Sequence, residues 1–282
     1  MKFEEACELV LETERETAGI GTMQEKTLHS VLKFYLEPDE SLHEVRVGRH
    51  IADICEPDGT IFEIQSANFD KLRDKLTEFL PEHHVIVVYP GIAAKRLYWI
   101  REGGEVSEGR KVNRTGNQYQ IFNELSKIRT FLTDPNLTIE VILMDVDEYR
   151  LQDGWGSGGK RGAHRWERIP TGLAGEYVLE KREDYLVHLM PAELPEEWTV
   201  AQYAKRQRQT PRIAERSMLV YLALGFVERE KIGRTFHYRL TQETKDALLA
   251  VRPRGEAESG RKGRMRDGSE RTRRAHKAPP GK

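Results

Sequence analysis

The chain has 282 residues, of which 38% are hydrophobic and 32% charged, and its formal net charge is -1. That length suits one large domain or two ordinary ones. No apolar run approaches the roughly 20 residues that cross a bilayer. The start, Met1-Lys2-Phe3-Glu4-Glu5, is acidic and lacks a secretory apolar stretch. Cys7 and Cys55 form neither a metal-spacing motif nor a disulfide framework. A cytoplasmic, reducing setting with no membrane partner is therefore expected.

In chain order, Phe3, Ala6, Leu9, Val10 and Thr13 lie near helical spacing, and Gly19-Ile20-Gly21 breaks that helix. Met23 to Leu36 predicts a stronger helix with Leu28, Val31, Leu32 and Tyr35 on one face, ended by Pro38. Three short strands follow: Glu44 to Val47, His50 to Cys55 and Thr60 to Gln65. Asn68 has the chemistry of a helix N-cap, ahead of the stripe Phe69, Leu72, Leu76, Phe79 and Leu80. Val85 to Tyr89 reads as a buried strand and Arg96 to Arg101 as another. Tyr119 to Leu132 reads as a helix, Thr138 to Asp145 as a strand and Gly175 to Glu180 as one more strand. The succession over 23–145 is that of a mixed α/β domain.

Residues 153–164 are glycine-rich and basic, so a loop is expected. Within them Gly154-Trp155-Gly156-Ser157-Gly158-Gly159-Lys160-Arg161 approximates a P-loop, but Arg161 stands where the motif needs Ser or Thr for Mg²⁺. Nucleotide hydrolysis is set aside. Lys160, Arg161, His164 and Arg165 remain as phosphate contacts, with a solvated loop as the alternative.

The most informative stretch runs from His50 to Ser66. Its turn, Glu56-Pro57-Asp58-Gly59-Thr60, places proline at the first central position and glycine two residues later, where positive φ costs it nothing. That favours a three-residue loop with a glycine bulge. Glu56 then pairs with Thr60, Cys55 with Ile61, Asp53 with Glu63 and Ile51 with Gln65. Asp53, Glu63 and Gln65 would share one face of the sheet. Two opposed carboxylates require a shared proton, a basic neighbour or a bound cation. Oxygen ligands with no cysteine and no paired histidine point to Mg²⁺ or Mn²⁺. Glu25 and His29, four apart on the preceding helix, could add a carboxylate and a proton carrier.

A helix bearing Glu25, then strands bearing Asp53 and Glu63-Ile64-Gln65, resembles the PD-(D/E)XK nuclease superfamily, the restriction-endonuclease-like fold. The wider run from Gln24-Glu25-Lys26-Thr27-Leu28-His29 through Tyr98-Trp99 is similar to a bacterial family placed in that superfamily. The resemblance covers roughly residues 20–150. It implies a mixed sheet flanked by helices, with Asp53 and Glu63 holding the metal and Gln65 orienting the attacking water. Gln65 stands where lysine is commonest, and Ala52 where the motif's name has proline. Lys71 or Lys75, on the next helix, is a candidate to replace the lysine.

Pro191 and Pro195 mark a linker. Thr199 to Arg206 predicts a short helix, and Thr210 caps another that begins at Pro211 and ends at Gly225. Phe226 to Arg229 and Phe236 to Leu240 read as strands around the basic turn Lys231-Ile232-Gly233-Arg234. This order is that of a winged helix, and Tyr221 to Val227 resembles the end of a recognition helix running into the wing. In such folds Arg212, Glu215 and Arg216 would meet bases, and Arg229, Lys231 and Arg234 would touch phosphate. A winged helix used for protein contact is the alternative. Residues 252–282 hold eleven Lys/Arg against four Asp/Glu, so a basic, disordered tail follows an acidic body. It would add salt-sensitive affinity for DNA.

The expected organisation is a nuclease-like domain over 1–190 with its core at about 20–150, a winged helix over 191–251 and the tail. The expected function is metal-dependent cleavage of DNA phosphodiesters, with a homodimer left open. The alternatives are a non-catalytic DNA-binding or regulatory protein on a decayed nuclease core, and a protein-interaction module.

Overall fold

The computed structural model describes residues 1–17, 27–101, 103–112, 116–152, 164–191 and 193–251. Glu25, most of the glycine-rich loop with Lys160 and Arg161, the His164 side chain and the basic tail lie outside the described residues.

Helices α1 (Phe3–Thr17) and α2 (Thr27–Leu36) precede strands β1 (His43–Val47), β2 (His50–Cys55) and β3 (Ile61–Ile64). Helix α3 (Arg73–Phe79) crosses to β4 (Val85–Ile100), which β5 (Arg110–Lys111) borders. Helix α4 (Phe122–Leu125), β6 (Leu137–Leu151), β7 (His164–Leu179) and α5 (Arg182–Leu189) complete the first unit. Then come β8 (Trp198–Thr199), α6 (Val200–Arg206), α7 (Pro211–Ala223), β9 (Val227–Ile232), β10 (Thr235–Leu240) and α8 (Gln242–Val251).

The fold is mixed α/β. One seven-stranded sheet runs in the order β1-β2-β3-β4-β6-β7, with β5 on β4. The β3–β4 and β4–β6 pairs are parallel and the others antiparallel. Alternation sends Ile54, Phe62, Ile64, Val88, Ile142 and Met144 to one face, beneath α1 and α2. Ile61, Val85, Val87, Ile139 and Val141 face the other way, beneath α3, α4 and α5. That second core runs on into Tyr203, Ile213, Met218 and Tyr221, so the C-terminal helices share it. Phe122 and Tyr221 meet edge to face at 5.4 Å, and the Tyr221 hydroxyl donates to the Leu189 carbonyl at 2.7 Å. A second, three-stranded sheet has the order β8-β10-β9.

Four local expectations need correction. Residues 85–89 and 96–101 belong to one strand, β4, despite Pro90. Proline is tolerated there because β3 pairs only as far as Ile64 with Val88, so no neighbouring carbonyl awaits a donor beyond it. The strand expected at Gly175 to Glu180 extends back to His164, as β7. The helix expected over 119–132 is a 3-10 turn, Gln118–Ile121, and the single turn of α4. Successive three-residue bonds such as Ile128 N–H to Leu125 carbonyl and Phe131 N–H to Ile128 carbonyl then carry the chain around, while Ile128 and Leu132 stay buried. Asn68 does not cap with its side chain. It is left-handed at φ 62, and the buried Glu124 carboxylate accepts the Phe69 N–H instead, at 3.0 Å.

Candidate active site

The β2–β3 turn forms as its residues dictate. Gly59 has φ +88, its N–H donates to the Glu56 carbonyl at 2.9 Å, and the Glu56 N–H donates to the Thr60 carbonyl at 2.9 Å. The ladder then holds Cys55 against Ile61 and Ile54 against Phe62. It stops there. The expected pairs Asp53–Glu63 and Ile51–Gln65 are absent: the Asp53 carboxylate takes the Ile64 N–H and Lys75 takes the Ile51 carbonyl, while β2 stays paired with β1 along its other edge. Beyond Ile54 the two strands part, and the groups expected on one flat face line the opening instead.

Asp53 spans that opening. Its Oδ2 accepts the Ile64 N–H at 2.7 Å, so the carboxylate takes the place of a missing ladder acceptor. His29 Nε2 lies 3.4 Å from the same oxygen and 3.0 Å from the Ile64 carbonyl. A carbonyl only accepts, so Nε2 carries the proton in that contact. Burial works to raise the Asp53 pKa, but the His29 bond and charge, the Ile64 N–H and Lys75 outweigh it, and the net direction is downward.

Glu63 is 3% exposed. Lys75 Nζ donates to both of its oxygens at 2.8 Å and to the Ile51 carbonyl at 2.6 Å. Burial first, and the Asp53 charge second, still push the Glu63 carboxyl up to about 7 against the pull of Lys75 and His29. The side-chain amide of Gln65 donates to the Ala67 carbonyl, and its backbone N–H donates to Val88 at 2.9 Å. Of the two lysines offered by sequence, Lys75 therefore reaches the acids. It does so because Leu72, Leu76 and Phe79 anchor α3 in the core.

One cluster went unforeseen. Glu148 on β6 is 1% exposed. It contacts Lys95 of β4 at 3.2 Å, Arg150 at 2.7 Å and Arg168 of β7 at 3.1 Å. Burial opposes ionisation, but the Arg150 hydrogen bond, the Arg168 charge and Lys95 hold this carboxyl down at about 2. The alternation Glu148-x-Arg150 on one strand face was the only available signal in the sequence.

In the C-terminal unit Arg212 is exposed and Arg216 half-buried on α7, while Arg229 and Lys231 on β9 and Arg234 in the hairpin turn are exposed. Among the described residues, none of these five forms an ion pair with a carboxylate. Likewise, among the described residues, no group of three or more His, Cys, Asp or Glu is placed to hold a metal. No described helix is long and apolar enough to cross a membrane.

A family described as "Domain of unknown function (DUF8091)" matches residues 26–180, more than half of the chain. The chain belongs to that family. The matched span of this DUF8091 member contains His29, Asp53, Glu63, Gln65, Lys75 and Glu148, and excludes the C-terminal unit. A protein of Treponema pallidum (strain Nichols), titled "Uncharacterized protein", is 34% identical over 136 residues. The alignment covers 48% of this chain and 53% of the relative, so the chain spans about half the length of that protein. No solved structure matches the chain.

Proposed function

We propose that the protein is a metal-dependent DNA endonuclease of the PD-(D/E)XK type, whose C-terminal unit holds DNA as a winged helix. The observation that carries this reading is that Asp53 lies close enough to the Lys75-bound Glu63, where β2 and β3 part, for their charges to act on one another. The mixed sheet flanked by helices is the architecture that the resemblance implies and supports it further. Fold-level analogy alone would be a weaker warrant than this geometry.

The donor chemistry fits Mg²⁺ or Mn²⁺. Mg²⁺ commonly binds through one or two carboxylates and keeps several waters, so two hard oxygen donors suffice. Burial first and the Asp53 charge second raise the Glu63 carboxyl, and a bound cation would offset both. Asp53 and Glu63 would hold the ion, and Glu25 lies on the segment leading into α2. When bound, the ion supplies positive charge against the phosphate and acidifies a water. Lys75 brings the positive charge that Gln65 lacks. Gln65, its amide fixed on Ala67, keeps its Oε1 as an acceptor able to orient a water. His29 positions Asp53 and the Ile64 carbonyl.

In the C-terminal unit, α7 follows α6 and leads through Gly225 into the β9–β10 hairpin. Thr210 accepts the Ile213 N–H and Pro211 opens α7, so Arg212, Glu215 and Arg216 lie in its first two turns. Those residues would meet base edges, while Arg229, Lys231 and Arg234 would hold phosphates.

Plasmid, linear and branched DNA incubated with Mg²⁺, Mn²⁺ or EDTA test the reading, alongside Asp53→Ala and Glu63→Ala. Metal-dependent cutting that both variants lose is expected. Intact substrates with well-folded wild-type protein and tight DNA retention would instead favour the second reading, a DNA-binding protein on a decayed core. One observation speaks for that alternative: both Glu63 oxygens are already taken by Lys75.

A further inference from the structure

An open groove of about 880 Å³ lies between α6, the start of α7 and the β9–β10 hairpin. Lys205, Arg208, Arg229, Arg234, Leu219 and Phe236 line it. Several cations near it are matched by acids: Arg239 meets Glu228 at 2.8 Å, Arg206 meets Glu193 at 3.2 Å and His237 meets Glu197 at 2.6 Å. Among the described residues the four cations lining the groove form no ion pair with a carboxylate, and Glu215 is the one acid among the lining residues. The groove therefore favours an anion.

Two further features narrow its chemistry. The Arg229 guanidinium lies over the Phe236 ring, 4.5 Å from its centroid, and Phe236 is 39% exposed. This pair offers flat surfaces of the kind on which bases stack. Arg208 has φ +50, just past the C-cap of α6, where glycine is the usual residue. A non-glycine residue is strained there, and at this position its side chain adds a cation to the groove. The chain's own tail is basic and has the wrong sign to fill the site.

The geometry points to a site for an unpaired nucleotide segment of the DNA, at a strand end or gap. Bases within a duplex have their faces covered by neighbours, whereas an unpaired base can stack on the Arg229–Phe236 platform while its phosphates meet Lys205, Arg208 and Arg234. This inference rests on the DNA-binding reading above and names the substrate structure within it.

Fluorescence anisotropy of the full chain in EDTA tests it with three ligands: a blunt duplex, the same duplex with a short single-stranded overhang, and one whose overhang is abasic. The overhang is expected to tighten binding about tenfold, since stacking contributes roughly 1–3 kcal/mol per base. The abasic overhang and the Phe236→Ala variant should each lose most of that gain, and Phe236→Tyr should keep it. Thermal melts establish that the variants are folded. Equal affinity for blunt and overhanging DNA, or an unchanged preference in Phe236→Ala, overturns the inference while leaving duplex binding intact. Displacement of the overhang by oligoglutamate at equal charge concentration overturns it in favour of an acidic peptide. Absence of binding to every DNA sinks the DNA-binding reading itself.

Discussion

Glu63 and Glu148 are two buried carboxylates on one sheet, and their surroundings drive them in opposite directions. Glu63 has one lysine against it and a second acid nearby, and is pushed up to about 7. Glu148 has three cations from three strands and is held at about 2. Burial is the largest influence on each and raises both, and only Glu148 has enough cations beside it to reverse that. The difference separates two jobs. Glu148 is satisfied and binds strands together, whereas Glu63, with a single lysine against it, is the acid that the proposed function would give to a cation.

The largest expected effect comes from removing the satisfied acid. Glu148→Gln should cost about 3 kcal/mol in urea denaturation, because Lys95, Arg150 and Arg168 are left crowded together. Glu63→Gln at pH 8 should cost less than about 1 kcal/mol, since it removes an acid ionised at a penalty. Equal losses for the two would break the contrast.

The pH dependence comes next, with opposite signs. The Glu63 pKa is raised in the folded state, so its contribution is present below its ordinary 4.5 and is lost as pH rises through about 7. Wild type should lose about 2 kcal/mol relative to Glu63→Gln between pH 4.5 and 8, read as the difference between two denaturation series. The Glu148 pKa is depressed, so its contribution is present above 4.5 and is lost as pH falls towards about 2. Glu148→Gln should therefore converge on wild type only in strong acid.

Cation binding sharpens the same contrast. A metal must displace the Glu63 proton, so Mn²⁺ affinity by calorimetry should fall about tenfold per pH unit below pH 7. An affinity flat from pH 5.5 to 8 would place the ion elsewhere. The smallest effect concerns Lys75. If its ammonium competes with a metal for Glu63, Lys75→Met should tighten Mn²⁺ binding about threefold. Weaker binding in that variant would mean that Lys75 organises the acids rather than competing for them.

Much of the site follows from local chemistry. Pro57 and Gly59 specify the turn, the turn sets Cys55 against Ile61, and that register brings Asp53 and Glu63 to the same neighbourhood. The alternating apolar residues and helical stripes likewise mark the α2, β1–β3 and α3 segments close to their observed bounds. These features depend on residues a few positions apart, so the sequence alone determines them.

What the tertiary structure decided is everything that needs distant chains to meet. Where β2 parts from β3, the Asp53 carboxylate holds the Ile64 N–H and Lys75 holds the Ile51 carbonyl, so a flat pair of acids becomes a cleft bridged by side chains. The choice of Lys75 over Lys71 depends on how α3 seats in the core. Lys95, Glu148 and Arg168 lie on three strands, far apart in the chain, and nothing local marks them as partners. The groove at Phe236 likewise needs two helices and a hairpin packed together. Local propensities act through neighbours in the chain, whereas the charge environment of a buried group is set by neighbours in space.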